Sequence, residues 1–162
     1  MKRFLGIGMV TAAAMVSAAV WAQTAAPAKS AAEAKTAIEA RQANFKEIKK
    51  LYEPLTDTLK GKREFDAALF ATNAAKIGEL AQQIPAKFAV DTRGFKDTKT
   101  DALDGIWASQ ADFKAKADAL VTGANALAAA AKTGDKGATM KAVPAMGKTC
   151  GGCHDNYKFK SE

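Results

Sequence analysis

The chain has two cysteines and one histidine, and all three fall within five consecutive positions, Cys150-Gly151-Gly152-Cys153-His154. Cys-x-x-Cys-His is the pattern through which a haem is attached to a polypeptide. On a helix, positions 150, 153 and 154 share one face. Two thiols on that face can bond to the two vinyl groups along one porphyrin edge, while the imidazole of His154 reaches the iron from the same side. Gly151 and Gly152 leave room for the macrocycle against the backbone, at a cost in helix propensity that a plain surface helix would not explain.

Other uses of these residues fit less well. A disulfide between Cys150 and Cys153 closes a very short loop and leaves the histidine without a role. A redox dithiol wants its Cys-x-x-Cys opening a helix after a strand, and no strand pattern precedes this one. A zinc site would lack a fourth ligand, because the chain has no further Cys or His. The same inventory bears on the far side of the iron. Only Met140 and Met146 remain beyond the N-terminal segment, both upstream of the motif on the same predicted helix, so neither reaches the opposite haem face. With no strong sixth ligand in reach, the iron is expected to be five-coordinate and high-spin.

The elements that must position this site are helical. From residue 35 onward the composition is dominated by Ala, Lys, Leu, Asp and Glu, with almost no β-branched alternation. A first helix is expected over about Ala31 to Leu59, with Ile38, Phe45, Ile48, Tyr52 and Leu55 on one face. Arg41 lies on that apolar stripe, where a cation either meets a desolvated anion such as a haem propionate or snorkels to water. Phe45, in mid-stripe, is the candidate for the residue that covers the haem's open face; ordinary core packing is the other use of that position. A second helix is expected from about Glu64 to Ile84, with Leu69, Ile77, Leu80 and Ile84 inward and Pro85 ending it. Residues 86–100 read as a long loop. Asp101 is placed to cap a third helix running to about Lys132, with Leu103, Ile106 or Trp107, Phe113, Leu120 and Leu127 as its stripe. After the break at Thr133-Gly134-Asp135, a fourth helix runs to about Lys158, with a kink or restart expected near Pro144. Four striped helices predict an all-α, antiparallel four-helix bundle.

The N-terminus reads differently. Met1-Lys2-Arg3 is followed by an uncharged, mostly apolar stretch from Phe4 to Val20 and small residues before a cut after Ala22. Residues 1–22 are therefore expected to be a signal peptide, 23–34 a flexible leader rich in Ala, Pro, Lys and Ser, and 35–162 one haem-bearing bundle domain. The apolar run is short for a membrane anchor, and no later stretch is long or apolar enough to span a bilayer. Without Lys2 and Arg3 the formal charge falls from +7 to +5. The basic residues are spread along the chain with no dense run among aromatics, so no nucleic acid is expected as a partner, while acidic partners are favoured.

With these residues in view, the chain resembles cytochrome c′, the class II c-type cytochromes. The resemblance rests on Cys150 to Tyr157, on Arg41-Gln42-Ala43-Asn44-Phe45 in the first helix, and on Ile106-Trp107 with Phe113 in the third; Ile84-Pro85 also fits. It implies one covalently attached haem c held by Cys150 and Cys153, with His154 as axial iron ligand. It further implies haem or propionate contacts from Arg41, Gln42 and Asp101, and Phe45 on the distal face. Low-spin members of that fold carry Met at the distal position, so Phe45 resembles the high-spin branch. Lys158 departs from the pattern, since many members have Arg four residues after the histidine, and Lys lacks the planar fork.

The function implied is that of a periplasmic haem protein that binds small diatomic gases, nitric oxide and carbon monoxide. Dioxygen binding is favoured by a distal hydrogen-bond donor, which Phe45 does not offer. The alternative is a one-electron carrier of a periplasmic respiratory chain, serving a redox partner protein without a gas-binding role. An enzyme such as a peroxidase is not expected, because no distal acid–base histidine is present. A homodimer is the assembly common among similar proteins.

Overall fold

The computed structural model describes residues 25–95 and 98–160, so the expected signal peptide, residues 1–22, lies outside the described residues. Four long helices make the bundle: α1 (Ala31–Leu59), α2 (Ala67–Gln82), α5 (Gln110–Lys132) and α6 (Lys136–Tyr157). Two single-turn helices, α3 (Ile84–Lys87) and α4 (Gly105–Ala108), lie in the connection between α2 and α5. The chain is thus the expected antiparallel four-helix bundle.

Helix starts follow from capping. The Ser30 side chain accepts from the Glu33 N–H, Asp66 from those of Ala68 and Leu69, and Asp135 from that of Ala138, each satisfying an N–H that a helix start leaves without a partner. Gly61 and Gly134, just past the ends of α1 and α5, take positive φ of 69° and 76°, conformations that a Cβ would strain. The core is Leu55 of α1, Phe70 and Ile77 of α2, Leu120 and Leu127 of α5 and Val143 and Met146 of α6, all buried. Two amides tie α1 to α2 across this core: Asn44 donates to the Leu80 carbonyl at 3.2 Å and Asn73 to that of Leu51 at 2.9 Å.

Several boundaries differ from expectation. The stretch read as a flexible leader, 23–34, is structured where it is described. Ala26–Pro27 (β1) pairs in parallel with Val90–Asp91 (β2), and residues 31–34 form the first turn of α1. Backbone bonds from Ala26 to the Ala89 carbonyl and from Ala28 to that of Asp91, both 2.8 Å, hold it. The second helix ends at Gln82, and Pro85 opens α3 instead of simply closing α2, since an early helical position has no need of the missing N–H. Leu69 and Leu80 are half-buried; Phe70 takes the fully buried place on α2.

Asp101 does not cap a helix. The third helix breaks at Ser109 (φ −131°, ψ 53°), and residues 101–103 instead run beside the end of α6. There the Leu103 N–H donates to the Tyr157 carbonyl at 3.1 Å and the Phe159 N–H to the Asp101 carbonyl at 2.7 Å. Ile106 and Trp107 are both buried, so the stripe uses the pair and not one of them. α6 is continuous through Pro144.

Candidate haem pocket

Along α6 the inward stripe is Met146, Cys150, Cys153 and Tyr157, at spacings of four, three and four residues. Met146 and Tyr157 are buried and the two cysteines half-buried. His154, one residue off the stripe, is largely exposed yet lines the same cavity. That cavity, about 550 Å³, lies between α6 and α1 and is floored by α2 and α5. Ile48 and Phe45 of α1, Ile77 of α2, Phe113 and Leu120 of α5, and Phe88 form apolar walls.

The chemistry of the donors fits a haem. Cys150 and Cys153 are free thiols, and burial pushes both thiol pKa values up, the reverse of the activated thiolate a redox dithiol needs. Partial burial of the His154 ring, with Lys158 beside it, holds its pKa below the usual value and favours the neutral imidazole that can ligate. The volume falls in the range of about 300–1,000 Å³ common for cofactor sites. A Cβ at Gly151 or Gly152 would meet nothing within 4 Å, so neither glycine is required by packing within the protein. Among the described residues no three of His, Cys, Asp and Glu cluster as a metal cage.

Opposite α6, Phe45 is half-buried with its ring on the cavity, and it carries no donor atom. Its ring centroid lies 6.5 Å from that of Phe88 in an edge-on arrangement. Tyr52, two turns further along α1, reaches across to α6, where its hydroxyl donates to the Val143 carbonyl at 3.3 Å.

Arg41 also lines the cavity, one turn before Phe45, and is only 3% exposed, so it does not snorkel to water. Its Nε donates to the Lys87 carbonyl at 2.8 Å, Nη1 to Thr92 Oγ1 at 3.1 Å and Nη2 to the Val90 carbonyl. Burial lowers its pKa to about 10, against the opposing pull of Asp91, so it stays cationic at neutral pH. Gln42 is exposed at the cavity edge and donates to the Lys99 carbonyl at 3.2 Å. Asp101 stands at the mouth with its carboxylate 3.2 Å from Lys158 Nζ.

The structure thus gathers Cys150, Cys153, His154, Arg41, Gln42, Phe45 and Asp101 around one cavity. Three features were not read from the sequence. Phe88 and Thr92 lie in a segment that looks like loop, and no periodicity marks them. Lys46, Lys49 and Lys116 stand with Lys158 around the opening, drawn from different elements. Tyr157 donates to Asp112 Oδ2 at 2.6 Å, and ionising the phenol against that carboxylate is resisted, raising its pKa to about 12.

Among the described residues no helix is long and apolar enough to cross a membrane. The sequence profile of the family described as Cytochrome C' matches residues 36–158. Cytochrome c' of Rubrivivax gelatinosus is 36% identical over 120 residues, 74% of this chain and 92% of that protein. The structure of cytochrome c prime from Shewanella frigidimarina superimposes with a TM-score of 0.70 at 39% identity, over 78% of this chain and 97% of that one. A ferrous Arg-to-Lys variant of cytochrome c prime from Alcaligenes xylosoxidans with bound NO gives a TM-score of 0.70 at 30% identity, over 79% and 97%.

Proposed function

The chain belongs to the cytochrome c′ family, and from that premise we propose a periplasmic c-type haem protein that binds nitric oxide and carbon monoxide. One observation carries this reading: the thiols and the imidazole that line the cavity all stand on one wall, α6, and Phe45, which cannot ligate, faces them. A bound haem would supply an iron able to exchange one electron and to take a small ligand.

The residues then divide the work. Cys150 and Cys153 would hold the group by thioether links and His154 would offer a nitrogen to its iron. Phe45, Ile48, Ile77 and Leu120 keep the opposite side apolar, which penalises ions that must shed hydration and favours small uncharged gases. Gln42 and Asp101 stand at the mouth, where propionates would emerge. Arg41 has three of its five N–H groups engaged by the protein, leaving two for a propionate oxygen. No second histidine stands across the cavity to act as acid or base, which supports a binding protein over a peroxidase.

A second reading, one-electron transfer with an acidic partner protein, is favoured by Lys46, Lys49, Lys116 and Lys158 around the opening, against Asp101 as the one acid among the described lining residues. Absorption and electron spin resonance spectra of the purified protein test the lead. A high-spin spectrum at neutral pH that shifts on adding carbon monoxide is expected. A low-spin, six-coordinate spectrum unmoved by carbon monoxide would overturn the gas-binding reading and leave electron transfer.

A further inference from the structure

Phe88 is gripped from several sides. The Arg41 guanidinium stacks over its ring at 4.4 Å from the centroid, Phe113 packs edge-on at 4.8 Å and Trp107 at 6.2 Å. Phe45 meets the same ring at 6.5 Å. Arg41 and Phe45 are four residues apart on α1, so one helix face presents both to Phe88. The segment that bears Phe88 is fastened by the same arginine through Lys87, Val90 and Thr92. It is fastened again by Trp107, whose indole N–H donates to the Phe88 carbonyl at 3.1 Å, and by the β1 pairing from outside. Of these partners Phe45 and Phe113 face the cavity with rings that make no hydrogen bond, and Phe45 is the one on the wall opposite α6, so its position depends on what packs behind it.

Resting on the gas-binding reading above, we propose that Arg41 is a positioning residue for the distal wall: it clamps residues 87–92 so that Phe88 braces Phe45, and this brace limits the rate at which a diatomic gas enters. The bonds of the guanidinium carry the effect, not its charge. A lysine at 41 keeps a cation beside the cavity but cannot reach three acceptors that lie in a fork around the arginine. Thr92 gives a cleaner lever. It is buried, is not among the residues that line the haem cavity, borders a small depression beside Trp107, and is tied to Arg41 by the bond from Nη1.

The test uses the haem-loaded protein and three variants, Thr92→Val, Arg41→Lys and Phe88→Leu. Carbon monoxide association is followed after flash photolysis, and amide hydrogen exchange is followed at residues 88–92 in the absence of gas. All three variants are expected to speed association by roughly threefold to tenfold. Exchange at 88–92 should rise in Thr92→Val and Arg41→Lys, while the gas-free spectrum of Thr92→Val stays that of the parent. A parental association rate in Thr92→Val despite faster exchange would overturn the brace, and so would a parental rate in Arg41→Lys, which would make the charge sufficient. Should Arg41→Lys fail to fold, the threonine variant decides alone. A parent protein that binds no carbon monoxide overturns the gas-binding reading together with this inference, whereas binding with unmoved variant rates overturns this inference only.

Discussion

A phenylalanine and a methionine differ little in bulk, but only one has a lone pair to give, and on the gas-binding reading proposed above that difference at position 45 sets whether a gas finds the iron open. Phe45→Met places a thioether across the cavity from His154. The expected outcome is a low-spin spectrum and carbon monoxide affinity reduced at least about tenfold, because the gas must then displace an internal ligand; electron exchange should persist. An unchanged high-spin spectrum would show that residue 45 does not face the iron. Tyr157 makes a second residue-scale argument. Its phenol keeps its proton to about pH 12 in the folded chain, against about 10 in an unfolded one. Above about pH 10 the unfolded state releases a proton that the folded state retains, so this residue's contribution to stability is present below pH 10 and is lost toward pH 12. Urea denaturation between pH 9 and 11.5 should show that decline, and Tyr157→Phe should flatten it; an equal decline in both proteins rejects the assignment.

At the scale of elements, α6 and α1 meet through Tyr52, and the meeting depends on Gly147. A Cβ at 147 would overlap Tyr52 Oη, which passes there on its way to the Val143 carbonyl. Alanine favours a helix over glycine by about 1 kcal/mol, so the clash and the propensity oppose each other. Gly147→Ala is expected to lower stability by about 1–2 kcal/mol, yet to raise it in a Tyr52→Phe background, as thermal unfolding of the four proteins would show. The same sign in both backgrounds would mean that the hydroxyl is not the obstacle. How much of these elements the sequence reveals depends on the range of the forces involved. The bounds of α1 and α6, the inward Ile48, Leu55, Ile77 and Leu127, and the shared placement of Cys150, Cys153 and His154 on one cavity follow from local spacing, which the chain carries in itself. The break at Ser109, the burial of Phe70 ahead of Leu69, and the β1 pairing follow from contacts between distant segments. Asp101 shows the limit well. Its residue type suits a cap, but the backbone of 101–103 is taken by the end of α6, 50 and more residues away. Arg41 is legible as a cation on an apolar stripe, while its acceptors lie in a segment whose sequence shows no pattern at all.

Taken whole, the bundle is unevenly joined. α2 and α5 pack directly, with Ala74 and Ala81 of the one and Ala117, Ala124 and Ala131 of the other buried, and α6 packs on α5. α1 is hydrogen-bonded to α2 through Asn44 and Asn73, and its residues Arg41, Phe45, Ile48 and Tyr52 border the cavity. A group covalently held on α6 would therefore add most to the docking of α1, because binding to the folded state alone shifts its stability by mass action. The variant Cys150→Ala/Cys153→Ala, which removes both attachment points, should unfold at a temperature about 10 °C lower or more. Its amides should exchange first in α1, while α2 and α5 keep their protection, since openings start where few apolar contacts are made. Uniform loss of protection across all four long helices would show instead that the bundle opens as one unit, and that the haem stabilises every helix equally.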